Sequence, residues 1–340
     1  MPHPNISKEC FDAALIPGVR DRLAAVYRTL RSTEERVSES VVTEKGEFVS
    51  GLAHTRDCPL CTEPSHNTSL VYHVHGMHIV RCKKCELVYS QEVINRDTDE
   101  SRYRNSNVMS AHMDLHSHIV YAELELNKAR YIVDRLVQSR GGRHTSLLDI
   151  GCSTGALLQA ATEVGWRVMG IEVNRAGSTI AKNRGYNVID GIFPIDLHTG
   201  TLFDAITMLD VLEHTEDPIA FLASVVERIS KNGIVGIQVP NFNSLLIRIE
   251  GPRNNNICHG HWSYFTPDTL AKTAKKAGLE MISIETIISE IDRIRCYNET
   301  QVCETAGALT GQSINFRDID HNWLHDHLLG YKIFGVFRVA

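Results

Sequence analysis

The chain has 340 residues, 43% hydrophobic and 22% charged, with a formal net charge of -6. That size and balance describe a protein with a real core, arranged as two domains or as one large domain with appendages. The acidic excess argues against a broad nucleic-acid surface, and no apolar run approaches the length of a membrane span.

The first residues, Met1-Pro2-His3-Pro4-Asn5, lack the apolar stretch of a signal peptide, so a cytoplasmic location is expected. Residues 1–55 form a helical extension. Val19 to Glu39 carries Leu23, Val26, Tyr27, Leu30 and Val37 among charges, the spacing of an amphipathic helix. Such a helix packs on a neighbouring domain or on the second subunit of a homodimer. A basic face for RNA (Arg20, Arg22, Arg28, Arg31) is diluted by Asp21, Glu34 and Glu35.

Residues 56–92 form a compact unit. Cys58-Pro-Leu-Cys61 and Cys82-Lys-Lys-Cys85 flank an alternating stretch, Ser69 to Arg81, with Gly76 near its turn. Nine cysteines, an odd number, suit thiols or metal ligands better than disulfides in a chain without an export signal. Two Cys-x-x-Cys knuckles around a hairpin have the spacing of a tetrahedral Zn²⁺ site of the zinc-ribbon type. With Cys58, Cys61, Cys82 and Cys85 all as ligands, no position stays open for water, so the metal is expected to be structural.

Residues 93–140 read as a linker and a helical cap. A polar loop carries Tyr103, a candidate substrate contact, and Ala122 to Val137 has helical spacing, ended by Gly141-Gly142. His112, His116 and His118 precede that helix and read as pocket lining or a solvated face.

From residue 141 the pattern alternates strands and helices, an α/β domain with a mostly parallel sheet and helices on both faces. Leu147-Leu-Asp149-Ile-Gly151-Cys152-Ser153-Thr-Gly155 reads as a buried strand and a glycine turn, and Val168 to Glu172 as the second strand. Gly151 permits the tight turn, and an acid ending the second strand suits ribose hydroxyls. No Lys-Ser or Lys-Thr follows, so a P-loop is excluded. Asn187 to Gly191 reads as the third strand. Phe203 to His214, with Asp210, Leu212, Glu213 and His214, covers the fourth strand and its exit. Lys231 to Asn241 reads as the fifth. Asp217-Pro218 starts a helix, with Asp as cap and Pro at the first position.

The order of these pieces, together with His261-Trp-Ser-Tyr264-Phe-Thr-Pro-Asp-Thr-Leu270, resembles class I S-adenosylmethionine (SAM)-dependent methyltransferases over roughly residues 141–340. Ser153 stands where the usual pattern has its middle glycine. With the four-cysteine unit, the chain resembles bacterial sugar and natural-product methyltransferases that carry an N-terminal zinc module. The resemblance implies a Rossmann-like seven-stranded sheet whose last two strands, about 280–288 and 331–339, form an antiparallel hairpin. It also implies cofactor contacts from Asp149, Gly151, Cys152, Ser153, Gly155, Glu172 (ribose), Asp190 (adenine), Asp210 and Leu212. His259 and Tyr264 would line the acceptor pocket. His261, with His214 as second candidate, would remove the acceptor's proton, because a histidine is half-deprotonated near neutral pH.

The expected reaction is methyl transfer to oxygen, nitrogen or carbon of a small polar acceptor: a sugar, nucleoside or secondary metabolite. RNA or protein methylation guided by the zinc unit, and a non-catalytic SAM-binding scaffold, remain alternatives. The stretch 290–330 is long for a connection and is expected to shape the substrate pocket or form an interface.

Overall fold

In the computed structural model the described residues are 6–95, 115–116, 118–140, 145–198 and 200–340. Tyr103 and His112 lie outside them. The helix expected in the N-terminal extension is α1, Val19–Ser40. Strands β1 (Ala53–Thr55) to β5 (Glu92–Ile94) follow, with β2 (Thr68–Val74), β3 (Met77–Cys82) and β4 (Val88–Ser90) between them. The hairpin β2–β3 turns at His75 and Gly76, both at positive φ (53° and 79°). That is the backbone a two-residue hairpin turn with the sheet's own twist requires.

The main sheet has seven strands. These are β6 (Ser146–Ile150), β7 (Arg167–Glu172), β8 (Val188–Asp190), β9 (Phe203–Leu209), β10 (Ile229–Pro240), β12 (Leu279–Ile287) and β13 (Lys332–Val339). Their order is β12-β13-β10-β9-β6-β7-β8. The five strands from β10 to β8 are parallel; β13 runs antiparallel to both β10 and β12, the edge hairpin expected from the resemblance. Strand order reverses at β6, which opens a crevice outside its carboxyl end.

Alternation along the strands sends side chains into two helical layers. Leu147, Ala205, Ile234, Phe334 and Val336 pack with Ile132, Val133 and Leu136 of α2 (Ile119–Arg140) and Leu157 and Ala161 of α3 (Ala156–Glu163). On the other face Leu148, Ile206, Val235, Ile237 and Ile333 meet Leu222 and Val225 of α5 (Pro218–Val226). Leu270 and Ala274 of α7 (Pro267–Lys276) complete that layer. Helix α4 (Arg175–Asn183) links β7 to β8. Asp217 caps α5 as its sequence predicts, accepting the N–H groups of Ile219 and Ala220 at 3.1 and 2.9 Å.

The stretch 290–330 is not a bare loop. It forms α8 (Ile291–Ile294), α9 (Glu299–Thr310) and α10 (His321–Asp326). With α6 (Leu245–Glu250) these helices bury a separate core that includes Leu246, Ile249, Ile294, Val302 and Leu324. A third feature has no signal in the local pattern. Strand β11 (Ser263–Tyr264), just beyond His261, pairs antiparallel with β4, so the sheet of the cysteine hairpin runs β11-β4-β3-β2. Among the described residues no helix is long and apolar enough to cross a membrane.

Candidate active site

One wall of the crevice is the turn after β6. Gly151 sits at φ 74°, and a Cβ there would stand 2.6 Å from the Val211 Cγ2 methyl, so only glycine passes. Ser153 adopts φ 47°, the left-handed conformation that a middle glycine would take without strain. A carboxylate holds it there. The Ser153 N–H donates to Glu172 at 2.8 Å, and the Asn174 N–H donates to the other Glu172 oxygen at 2.7 Å. Burial raises the Glu172 pKa, and the backbone donors oppose that shift. Asp149 accepts the Thr207 hydroxyl at 2.7 Å; burial pushes its pKa up to about 7, against the Thr207 hydrogen bond and helped by the Glu172 charge. The Ser153 hydroxyl is buried at the crevice without a hydrogen-bond partner among the described residues. Cys152 packs so closely on β7 that a Cβ on Gly170 would stand 2.5 Å from its sulfur, and burial drives its thiol pKa far upward.

The opposite wall is the exit of β9. Asp210, at φ 56°, accepts Lys332 Nζ–H and Gln238 Nε2–H, each at 2.9 Å. Burial raises its pKa, but the Lys332 charge leads a larger opposing pull and leaves it lowered. Glu213 is 1% exposed, and neither carboxylate oxygen has a hydrogen-bond partner among the described residues. Burial, then the Asp210 charge, pushes its pKa well up. His214 Nδ1–H donates to the Gly260 carbonyl at 2.7 Å, and His261 Nδ1–H to the Asn256 carbonyl at 2.9 Å. A carbonyl only accepts, so Nδ1 carries a proton in both rings and Nε2 lies on the far side of each ring from that bond. The rings meet edge to face with centroids 4.7 Å apart. One ligand atom each from Glu213, His214 and His261 lies within 4.8 Å of the others. Burial, His214 and Lys332 hold the His261 pKa well below its ordinary value.

Both walls face one cleft of about 1410 Å³. Tyr27 and Arg31 of α1, Lys128 of α2, and Arg293 and Tyr297 also line it. The N-terminal extension is latched to the 290–330 insert there. Arg20 pairs with Asp292 and, at 2.8 Å, with Glu290, while Arg293 pairs with Glu250 at 2.8 Å.

Residues 121–284 match a family model described as a methyltransferase domain. That stretch, just under half of the chain, is similar to a methyltransferase domain. A ubiquinone biosynthesis O-methyltransferase of Thiobacillus denitrificans is 29% identical over 152 residues, 39% of this chain and 64% of that protein. The C-methyltransferase NovU of Streptomyces niveus is 24% identical over 216 residues, 62% of this chain and 48% of its own length. This chain thus spans under two thirds of either relative. A solved SAM-dependent methyltransferase of Archaeoglobus fulgidus aligns with 68% of this chain and 99% of its own, at 16% identity and TM-score 0.46.

Among the site residues expected from the sequence, Asp149, Gly151, Cys152, Ser153, Glu172, Asp210, His214, His259 and His261 line the cleft. Four others do not. Gly155 opens α3 at φ 89° behind the turn, with Tyr186 at its back. Leu212 is wholly buried in the main core. Asp190 is exposed beside Arg175, 4.0 Å away, and its neighbours Gly191, Ile192 and Phe193 reach the cleft instead. Tyr264 turns into the satellite core against Phe242, ring centroids 5.9 Å apart, because its pairing with β4 faces it inward. Lys332, Gln238 and Glu213 have no role in the sequence reading. Their signal is a charged or amide group inside an otherwise apolar strand or strand exit.

The four cysteine sulfurs converge: Cys58–Cys85 and Cys61–Cys82 are each 3.5 Å apart, far longer than a disulfide. The two knuckles repeat one backbone. Thr62 and Glu86 sit at positive φ and donate to the carbonyls of Cys58 and Cys82 at 2.8 and 3.1 Å. Arg56, beside the first knuckle, donates to the carbonyls of Ser90, Glu216 and Trp262 and so bolts the unit to both segments that carry the cleft histidines.

Proposed function

We propose that this protein transfers the methyl group of SAM to a small polar acceptor, at an oxygen removed from solvent beside His261 and His214. The observation that carries this reading is the cleft itself. It joins a nucleotide-type turn at one wall to a carboxyl group and two imidazoles at the other. SAM supplies an electrophilic methyl carbon on a sulfonium centre. The turn residues fit such a cofactor: Gly151 leaves room for close approach, and the Ser153 hydroxyl lacks a partner among the described residues. Each Glu172 oxygen keeps a lone pair beyond its backbone donor, suited to ribose hydroxyls. Asp149 supports the turn from below, and Asp210 the segment that crosses it.

His261 is the proposed base. Its Nδ1 proton is committed to Asn256, and burial keeps Nε2 unprotonated, ready for a proton from an acceptor hydroxyl. His259 and, from the sequence, Tyr103 are proposed to contact the acceptor. The O- and C-methyltransferase relatives support a small-molecule acceptor. We further propose a structural Zn²⁺ held by Cys58, Cys61, Cys82 and Cys85, whose sulfurs all lie within 4.8 Å of one another. Incubation with SAM labelled on the methyl group, with small-molecule, RNA and protein fractions offered separately, tests the function. Label entering the small-molecule fraction is expected. Label in RNA or protein alone overturns the acceptor class, and absence of SAM binding by calorimetry overturns the reaction.

A further inference from the structure

We infer that Glu213, His214 and His261 form a second metal site, distinct from the four-cysteine unit, that holds a divalent transition-metal cation facing the acceptor. The inference rests on the proposed reaction, since the cluster lies at the acceptor wall of the same cleft.

Three observations converge. First, the Glu213 carboxylate is buried, and both oxygens lack a hydrogen-bond partner among the described residues. A buried carboxylate is ordinarily paired or bound to metal, because leaving it bare forfeits its hydration with no return. Asp210, three residues earlier, shows the contrast: its oxygens are met by Lys332 and Gln238. Lys332 directs its hydrogen bond to Asp210, and its charge acts on Glu213 only through space. Second, His214 and His261 each commit Nδ1–H to a main-chain carbonyl. This is the outer hydrogen bond that orients a metal-binding imidazole and fixes its lone pair on the other nitrogen. Third, one ligand atom of each of the three residues lies within 4.8 Å of the others, at the wall of an open cleft. Small side-chain rotations bring such a set onto one ion.

Two imidazoles and one carboxylate with open positions suit Mn²⁺, Fe²⁺, Co²⁺ or Zn²⁺. The four-cysteine set differs in kind: its soft sulfurs leave no open position. An acceptor hydroxyl oxygen filling an open position on the cation would lose its proton more readily, the proton passing to cleft water. In the metal-free protein His261 takes that proton itself; with the cation bound it serves as a ligand and the cation lowers the hydroxyl's pKa.

The test uses full-length protein with its four-cysteine site intact. Mn²⁺ is titrated in while the free aqua ion is followed by electron paramagnetic resonance. Co²⁺ is added in parallel, because cobalt bound by imidazole and carboxylate lacks thiolate charge-transfer absorption. One ion per chain is expected. Glu213→Gln and, separately, His261→Gln should each weaken its binding at least tenfold, while SAM affinity measured by calorimetry changes less than threefold. Folding of each variant is checked by circular dichroism, and two variants on different segments guard against loss of one. Uptake of neither ion by protein that binds SAM overturns the inference and leaves the proposed reaction standing. Uptake that persists unchanged in both folded variants also overturns it. Loss of SAM binding in the unaltered protein instead removes the reaction on which the inference rests.

Discussion

The backbone N–H of Ser90, in the sheet of the cysteine hairpin, donates to the carbonyl of Trp262 at 3.0 Å, one residue past His261. Trp262 in turn donates its own N–H to the carbonyl of Glu213 at 2.8 Å. Two hydrogen bonds therefore connect the knuckle sheet to both segments that carry the cleft histidines. The four-cysteine unit is part of the scaffold of the site.

Metal analysis is expected to find one tightly held zinc per chain. Replacing Cys58 and Cys82 by Ser should remove it and loosen residues 256–264, seen as faster amide exchange there. Turnover should fall by roughly 10², the cost of misplacing a reacting group by about 1 Å, with SAM affinity nearly kept. Full zinc retention, or unchanged exchange in the zinc-free protein, would refute this coupling.

Arg56→Ala removes three charged hydrogen bonds to main-chain carbonyls and the contact of Arg56 with the Tyr89 ring, 5.6 Å from its centroid. Urea unfolding should show a loss of about 2–4 kcal/mol, since bonds to charged groups are worth about 1.5–3 kcal/mol each and do not add fully. Arg56→Lys should recover only part, because an ammonium cannot span the fork that a guanidinium reaches. A loss below about 0.5 kcal/mol, ordinary for a surface site, would remove Arg56 from this role.

Glu172 both braces the turn through Ser153 and faces the cleft. Glu172→Ala should weaken SAM binding by about 1.5–3 kcal/mol, the usual worth of hydrogen bonds to a charged acceptor. Calorimetry on folded protein decides it. Unchanged affinity would mean that the carboxylate serves the turn alone.

Asp149 gives a pH signature. Its native pKa of about 7 lies above the reference value of 3.8, so the native state holds its proton more tightly than the unfolded chain does. Ionising it therefore costs stability, progressively as pH rises from about 4 to 7 and in full above that range. Asp149→Asn keeps an acceptor for the Thr207 hydroxyl and removes this slope. At pH 8 the variant should be more stable by on the order of 1–3 kcal/mol, as a shift of a few units allows. Its advantage should vanish at pH 4, while SAM affinity drops. Parallel stability curves for the two proteins from pH 4 to 8 would contradict it.

For His261→Ala, turnover is expected to fall by roughly 10²–10⁴, the range for a positioned proton acceptor. SAM affinity should hold within a few-fold, since the glycine turn is on the other wall. A variant that only raised the Michaelis constant would reduce His261 to orienting the acceptor.

Features written in short stretches of sequence were readable without the fold. The knuckle spacing, the glycine turn with Glu172 one strand later, the Asp217-Pro218 helix start and the strand–helix alternation all depend on neighbours within a few residues or one repeat. The same local rules are silent on what the site contains beyond its motif. Glu213 is 1% exposed, and its main-chain carbonyl accepts the N–H of Trp262, a residue far away in sequence. Lys332 reaches Asp210 only because β13 lies antiparallel against β10. Tyr264 was expected at the acceptor, but which side a two-residue strand presents is set by its partner, here Val88 on a strand far away in sequence. A one-residue change of that register would turn Tyr264 outward, so the choice belongs to the long-range pairing and not to the local pattern.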